Sequence, residues 1–571
     1  MGLSSPLPAG RLTTDPWWRS AVVYQVYPRS FADADGDGIG DLRGILDHLD
    51  HIADLGVDVV WLSPVYRSPQ DDNGYDISDY QDIDPMFGTL RDLDDLIAAL
   101  HERGMRLVMD LVVNHTSDEH PWFEESRQGR DTATADWYIW RDPRPGFEGG
   151  TPGAEPNNWG SFFSGSAWQW VPERGQYYLH LFSRKQPDLN WENPEVRSAV
   201  FRMMGWWLDR GIDGFRMDVV NFLSKDPELP DGEVGPSGWG DGFPYFSYGP
   251  RIHDHLAEMR REVFDPRPGT YLTVGEMPGV TPEQGLRFTD SETGQLDMVF
   301  QFEHVSLDGE GSKWVHRPIT VVDLKRSLAR WQDALGTRGW NSLYWNNHDQ
   351  PRVVSRWGDD GRFWYESATA LATVLHLHRG TPYVYQGEEL GMTNVDFQDI
   401  REFRDIESLN YYDAAVNQLG LDPDTVLAAM RRISRDNARA PMQWTDGEQA
   451  GFTSGRPWID VNPNHSWLNA AAQRDDPTSV YAHYRMLIAL RHSDPVVALG
   501  QFRLLLPEHP AIWAFEREHE GARAVVAANF TSEDVELALP ETEGTRLLST
   551  NYPDEGTPGL LRPWEARIHR T

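Results

Sequence analysis

The stretch LRDLDDLIAALHERGMRLVMDLVVNH, Leu90 to His115, decides the fold. In its first half Leu93, Leu96, Ile97 and Leu100 recur at three- and four-residue spacing, the pattern of a helix with one apolar face. From Met105 the pattern changes to a continuous apolar run that closes on Asn114 and His115, as expected of a strand buried on both faces in a parallel sheet.

Outward from this unit the same reading recurs in both directions. VVYQVYP (Val22 to Pro28) and VDVVWLSP (Val57 to Pro64) precede it. GIDGFRMDVV (Gly211 to Val220), TYLTVGEM (Thr270 to Met277), LDMVFQFEH (Leu296 to His304), NSLYWNNHD (Asn341 to Asp349) and TPYVYQGEE (Thr381 to Glu389) follow. Eight strand runs separated by amphipathic stretches such as Pro194 to Gly211 predict an α/β chain folded as a (β/α)8 TIM barrel.

The connection after the third strand breaks the rhythm. Residues 116–188 are too many for a βα loop and are rich in Trp, Pro and Gly, so they read as an inserted small domain. Residues 1–115 and 189–494 then form the barrel. Beyond Asp494 short alternating runs, Ala511 to Glu518 and Ala522 to Phe530, predict a C-terminal antiparallel β-domain, sandwich-like, over 495–571.

Composition narrows the partners. The 52 basic against 88 acidic side chains leave a net charge of −36, which repels nucleic acid and anionic membranes and is indifferent to a neutral substrate. The absence of cysteine excludes disulfides, thiol nucleophiles and thiolate metal sites. Met1 to Thr14 lacks the order of a secretory signal and no stretch is apolar enough to span a bilayer, so a cytoplasmic protein, monomeric or weakly self-associating, is expected.

Chemistry in a barrel collects at the C-terminal ends of the strands. Four of the runs end in Asn114 and His115, in Arg216 and Asp218, in Glu276, and in His348 and Asp349. One polar strand end is ordinary helix capping, but three carboxylates with two His and an Arg in a dry interior need a common purpose. Cleavage of a glycoside needs one ionised carboxylate and one protonated carboxyl. Arg216 stands two residues before Asp218, on the same face of a strand, and is expected to keep Asp218 ionised, while Glu276 needs a drier setting.

These residues sit within VYQVYPRSF (Val23 to Phe31), GYDISDY (Gly74 to Tyr80), DLVVNHTS (Asp110 to Ser117), QPDLNW (Gln186 to Trp191), GFRMDVV (Gly214 to Val220), GEM (Gly275 to Met277), NNHDQPR (Asn346 to Arg352), YQGEELGM (Tyr385 to Met392) and RDNARAPMQW (Arg435 to Trp444). Over almost its whole length the chain resembles glycoside hydrolase family 13, the α-amylase superfamily, in its oligo-1,6-glucosidase and α-glucosidase branch. The resemblance implies a retaining mechanism with Asp218 as nucleophile, Glu276 as acid/base and Asp349 stabilising the transition state. It further implies sugar contacts from Tyr75, His115, Gln186, Arg216 and His348. Phe163 and Phe182 match positions at the pocket entrance. Asp76 and Arg435 match a pair that closes the pocket behind the first sugar, with Arg439 as the alternative to Arg435.

In DADGDGIGD the carboxylates of Asp33, Asp35, Asp37 and Asp41 alternate as oxygen ligands do around calcium, although Gly44 stands where an EF-hand has its bidentate Glu. The resemblance implies one structural Ca2+ held by these four with the Ile39 carbonyl. Val219, directly after the nucleophile, matches the residue found where α-1,6 bonds are preferred. The expected function is therefore an exo-acting α-glucosidase releasing glucose from short oligosaccharides, favouring α-1,6 linkages. An α-1,4-preferring maltase type and a transglycosylating sucrose isomerase are the enzymatic alternatives. A non-catalytic transporter-associated barrel is the alternative from another class.

Overall fold

The computed structural model describes residues 11–14, 16–235 and 238–571. Most of the N-terminal segment read above for a secretory signal lies outside them. Eight parallel strands form one sheet: β1 (Val23–Val26), β2 (Val59–Leu62), β3 (Arg106–Leu111), β4 (Gly214–Met217), β5 (Leu272–Met277), β6 (Met298–Gln301), β7 (Ser342–Leu343) and β8 (Thr381–Tyr385). Their spatial order is β6-β5-β4-β3-β2-β1-β8-β7. A parallel bridge between Val299 and Asn341, with the Ser342 hydroxyl donating to the Val299 carbonyl at 2.6 Å, joins the two ends and closes the barrel. The chain is an α/β barrel with an antiparallel C-terminal domain.

The period of two along each strand explains the interior. Val23, Val59, Trp61, Val108, Leu272, Val274, Met298 and Phe300 cluster inside the barrel, two residues apart where one strand gives two. The next inward position on several strands is polar. Two residues beyond Val108 stands Asp110 and two beyond Val274 stands Glu276, while Arg216 lies in β4 and Asp218 directly follows its end. The floor is therefore dry and the upper layer charged, which is where a low dielectric strengthens ionic contacts.

Helices cover the outside. Helix α1 (Leu90–Glu102) opens on a capping box between Thr89 and Asp92 and buries Leu93, Leu96, Ile97 and Leu100, each contributing roughly 1.5–3 kcal/mol by burial. Helix α2 (Pro194–Arg210) starts on the Asn193 cap and stops at Gly211, whose φ of 116° a side chain would resist.

Most strands end sooner than the apolar runs suggest, β3 at Leu111 and β6 at Gln301 among them. β7 stops at Leu343, so Tyr344 to Asp349 is loop, and β4 stops at Met217 because Val219 turns left-handed, with φ 34° and ψ 43°.

Between β3 and α2 the inserted segment carries a three-stranded antiparallel sheet in which Gln176–Leu179 lies between Trp140–Arg141 and Trp168–Val171. A His115–Asp188 bridge ties its two ends together, and Lys225 anchors that neck, its Nζ 2.9 Å from Asp188 and donating to Asn114 Oδ1 at 3.0 Å. The C-terminal domain is a five-stranded antiparallel sheet faced by the pair Val535–Glu536 and Leu560–Leu561, with Ile512, Val525, Leu539 and Leu561 between them. Among the described residues no helix is long and apolar enough to cross a membrane.

Candidate active site

Arg216 organises the charged layer. Nearly fully buried, its Nη1 lies 2.7 Å from Asp218 Oδ1 and 2.7 Å from Asp110 Oδ1, while Nη2 lies 2.9 Å from Glu276 Oε1. Asp110 was not among the expected site residues. It faces Arg216 across the β3–β4 register and also accepts from Trp61 Nε1 at 2.8 Å and the Tyr75 hydroxyl at 3.3 Å. One cation thus serves three carboxylates, contacts that the several donors of a planar guanidinium spread over two nitrogens.

Burial pushes the Asp218 carboxyl up to about 6, against the pull of Arg216. Arg216 alone would keep Asp218 ionised as the sequence predicts, but the low dielectric outweighs the cation. Burial pushes Glu276 further, to about 7, helped by the negative charges of Asp218 and Asp349 and opposed by Arg216 and the Val219 N–H. That N–H donates to Glu276 Oε2 at 3.2 Å, an aim set by the left-handed turn at Val219. The two carboxyls are pushed unequally, and Glu276 keeps its proton to higher pH.

Asp349 has the opposite setting. Burial acts to raise it, but His348, Arg435 and Arg439 outweigh burial and hold it well below the usual carboxylate range. His348 Nε2 lies 3.1 Å from Asp349 Oδ2; Arg435 Nη1 and Arg439 Nη2 lie 3.3 and 2.8 Å from Oδ1. The His348 ring stacks on Tyr75 and on Tyr27, with centroids at 5.1 and 6.0 Å, and its Nδ1 meets Gln25 Nε2 at 2.8 Å. These contacts fix its plane.

Above these groups opens a cavity of about 470 Å³, lined among others by Asp72, Tyr75, His115, Phe163, Phe182, Asp218, Val219, Glu276, Asp349 and Arg435. His115 meets the Tyr75 carbonyl at 3.1 Å and packs on Phe182; the Arg435 guanidinium lies over Phe163 at 5.2 Å. Gln186, Arg216, His348 and Arg439 stand one layer behind this wall. Gln186 Nε2 donates to Asp72 Oδ2 at 3.2 Å and lies 3.2 Å from His115 Nε2.

The closing pair needs correction. Asp76 does not meet Arg435. Its carboxylate accepts from Ser68 Oγ at 2.9 Å, Asp71 N at 2.8 Å and Asp72 N at 3.1 Å, so it is spent on holding the turn. Asp72 makes the contact instead, Oδ1 to Arg435 Nη2 at 3.1 Å. Arg435 further meets Asp405 and, at 3.5 Å, Glu407, two residues of a segment in which the sequence had shown no site. Arg439 is not an alternative to Arg435 but its companion, 3.2 Å from the same Asp405 oxygen.

In the first βα loop Asp33, Asp35 and Asp37 bring carboxylate oxygens within 4.8 Å of one another. Asp41 stands outside this trio. Its oxygens accept from Gly44 N at 2.7 Å and Ala34 N at 2.8 Å, which makes it the N-cap of the helix that follows. Burial and the neighbouring aspartates raise Asp37 above its ordinary value. Three hard oxygen donors that disfavour one another's charge are a donor set that fits a cation such as Ca2+.

With this geometry in hand, comparison with known proteins is informative. The family described as alpha amylase, catalytic domain, matches residues 25–500, and that described as maltogenic amylase, C-terminal domain, matches 502–557. An oligo-1,6-glucosidase of Parageobacillus thermoglucosidasius is 54% identical, over 97% of this chain and 99% of that one. The trehalose-6-phosphate hydrolase of Bacillus licheniformis superposes with a TM-score of 0.90 at 44% identity, covering 97% and 99% of the two chains. The trehalulose synthase of Pseudomonas mesoacidophila MX-45 superposes at 0.91 with 42% identity, again over 97% and 99%.

Proposed function

The chain belongs to the α-amylase family, glycoside hydrolase family 13, and we propose that it acts there as a retaining, exo-acting α-glucosidase that favours α-1,6 bonds. The observation that carries the reading is the carboxylate pair on one arginine. Asp218 and Glu276 share Arg216, hydrogen-bond one another and titrate in the order the reaction needs. Such closeness fits a double displacement, because an inverting pair must leave room for water between the carboxyls.

In the first step the Asp218 carboxylate attacks the anomeric carbon as the glycosidic bond breaks, and Glu276 gives its proton to the departing oxygen. In the second step Glu276 takes a proton from water, whose oxygen displaces Asp218 with a second inversion. Asp349, kept anionic by His348 and two arginines, favours the positive charge that develops on the sugar ring. The Asp72–Arg435 contact at the donor end fits a pocket that takes a chain by its non-reducing terminus.

Linkage rests on Val219, which lines the cavity beside the nucleophile, and on the oligo-1,6-glucosidase among the relatives. A branched apolar group there is worth roughly 1–3 kcal/mol of discrimination between acceptor positions. Measured kcat/KM should favour isomaltose over maltose, and Val219→Thr should narrow the ratio. A wild-type preference for maltose that Val219→Thr leaves unmoved refutes the assignment. The trehalulose synthase likeness supports a second reading, sucrose isomerisation, which trehalulose or isomaltulose as the main product from sucrose would establish.

Asp33, Asp35 and Asp37 would hold a Ca2+ that braces the first βα loop against Thr453, whose hydroxyl donates to Asp33. The ion serves folding and takes no part in the chemistry. A cytoplasmic protein, monomeric or weakly self-associating, acting on short oligosaccharides completes the proposal.

A further inference from the structure

We propose that Asp405 is a positioning residue for the reaction: its carboxylate fixes Arg435 and Arg439 against each other and, through them, sets the place of the Asp349 carboxylate. The inference deepens the hydrolase reading and rests on it.

Asp405 Oδ1 accepts from Arg435 Nε at 3.0 Å and Nη2 at 2.5 Å, and from Arg439 Nη1 at 3.2 Å. Both arginines continue to one oxygen of Asp349, at 3.3 and 2.8 Å. One oxygen of each carboxylate is therefore held on the same two guanidinium groups. Asp405 is fully buried, whereas the Asp349 side chain is 26% exposed toward the cavity. It stands behind the lining residues and acts on the reacting atoms through others.

The charge arrangement shows why such a residue is needed. Arg435 and Arg439 are buried side by side, and each disfavours the other's charge. Of the two arginines, Asp72 and Glu407 each meet Arg435 alone, and Glu407 is shared with Lys313. Asp349 touches both, but as the group expected to answer the developing charge on the sugar it cannot also be the sole tie between them. Asp405 supplies that tie from the far side.

Asp405 is itself well anchored. Its Oδ2 accepts from Ser408 N at 3.3 Å and Ser408 Oγ at 3.2 Å, its own N–H donates to Asp436 Oδ1 at 3.0 Å, and it caps helix α3 (Ile406–Tyr412). Two oxygens divide two tasks, one facing the helix and one the arginines, and the tasks can be separated by mutation.

The test uses the full chain with p-nitrophenyl α-glucoside and isomaltose as substrates. Asp405→Asn keeps the shape and a good helix cap but removes the charge. Displacement of Asp349 by a fraction of an ångström to an ångström predicts a kcat lower by about a hundredfold, with KM within about threefold. Ser408→Ala removes a hydroxyl from Asp405 Oδ2 and from Ser434 Oγ but leaves the arginine-facing Oδ1 its contacts, and should leave kcat within about twofold of wild type. Unchanged kcat in Asp405→Asn, a change confined to KM, or an equal kcat loss in Ser408→Ala each overturns the proposal. Should Asp405→Asn not fold, Asp405→Ser, an uncharged cap of comparable strength, carries the same comparison. Wild-type enzyme that turns over the nitrophenyl glucoside but not isomaltose would refute the linkage reading and leave the Asp405 test intact.

Discussion

Asp72 and Asp76 sit four residues apart in one loop, and the structure gives them different tasks that a pair of variants should separate. Asp76→Ala strips the acceptor from two backbone N–H groups, those of Asp71 and Asp72, and from the Ser68 hydroxyl. An unsatisfied buried donor costs about 1–3 kcal/mol, so the two N–H groups together should lower stability by roughly 2–6 kcal/mol. For a protein of 571 residues, whose unfolding entropy is about 1.2 kcal/mol/K, that corresponds to a fall in Tm of roughly 2–5 °C. Asp72→Asn leaves the turn in place and removes one charged hydrogen bond to Arg435, of about 1.5–3 kcal/mol, where the cavity closes. If that closure is made against the bound sugar, kcat/KM falls by roughly 10- to 150-fold with little change in Tm.

The assay is differential scanning fluorimetry beside steady-state kinetics on isomaltose, at a temperature where both variants are folded. A crossed result is expected, with stability lost in one variant and activity in the other. The opposite outcome, in which Asp76→Ala keeps its Tm but loses more kcat/KM than Asp72→Asn, would make Asp76 the residue that meets the sugar.

Two further outcomes follow from the site. Asp218 must be ionised to attack, so kcat/KM should climb as pH rises through about 6; Glu276 must carry its proton, so activity should fall as pH rises through about 7, giving a narrow bell in a pH–rate profile. Glu276→Gln, assayed on a substrate whose leaving group needs no proton, should lack the alkaline limb. Chelation with EGTA should lower Tm while activity at 25 °C persists, and an immediate loss of activity at unchanged Tm would place the cation in the chemistry.

Why the barrel was legible and its donor-end network was not comes down to periodicity. Strands buried on both faces are largely apolar until they reach the open end, so Val59 to Leu62 and Leu272 to Met277 stand out in the sequence, and on the second of them the first charged residue, Glu276, marks the site. Asp218, Glu276 and Arg216 are found this way because two-residue spacing carries direction in a strand. Asp110 obeys the same rule and was overlooked only because the run continues past it to Asn114 and His115. Its signal was the period of two from Val108, and its meaning depends on pairing with Arg216, which a single sequence does not display.

Loops carry no such rule. Between Asp71, Asp72 and Asp76 nothing in the local pattern says which carboxylate faces the turn and which the cavity, since backbone N–H groups decide it. The same holds for Asp405, where a helix cap and an ion-pair tie use one residue type, and both readings fit the string RDIES equally well. The arginines point to the resolution. Arg435 and Arg439 are four residues apart, so a single helical turn presents both to one side, and two buried cations on one side require an anion between them. Paired arginines at helical spacing in a buried segment therefore predict a buried carboxylate between them, even where the local pattern around Asp405 does not mark it.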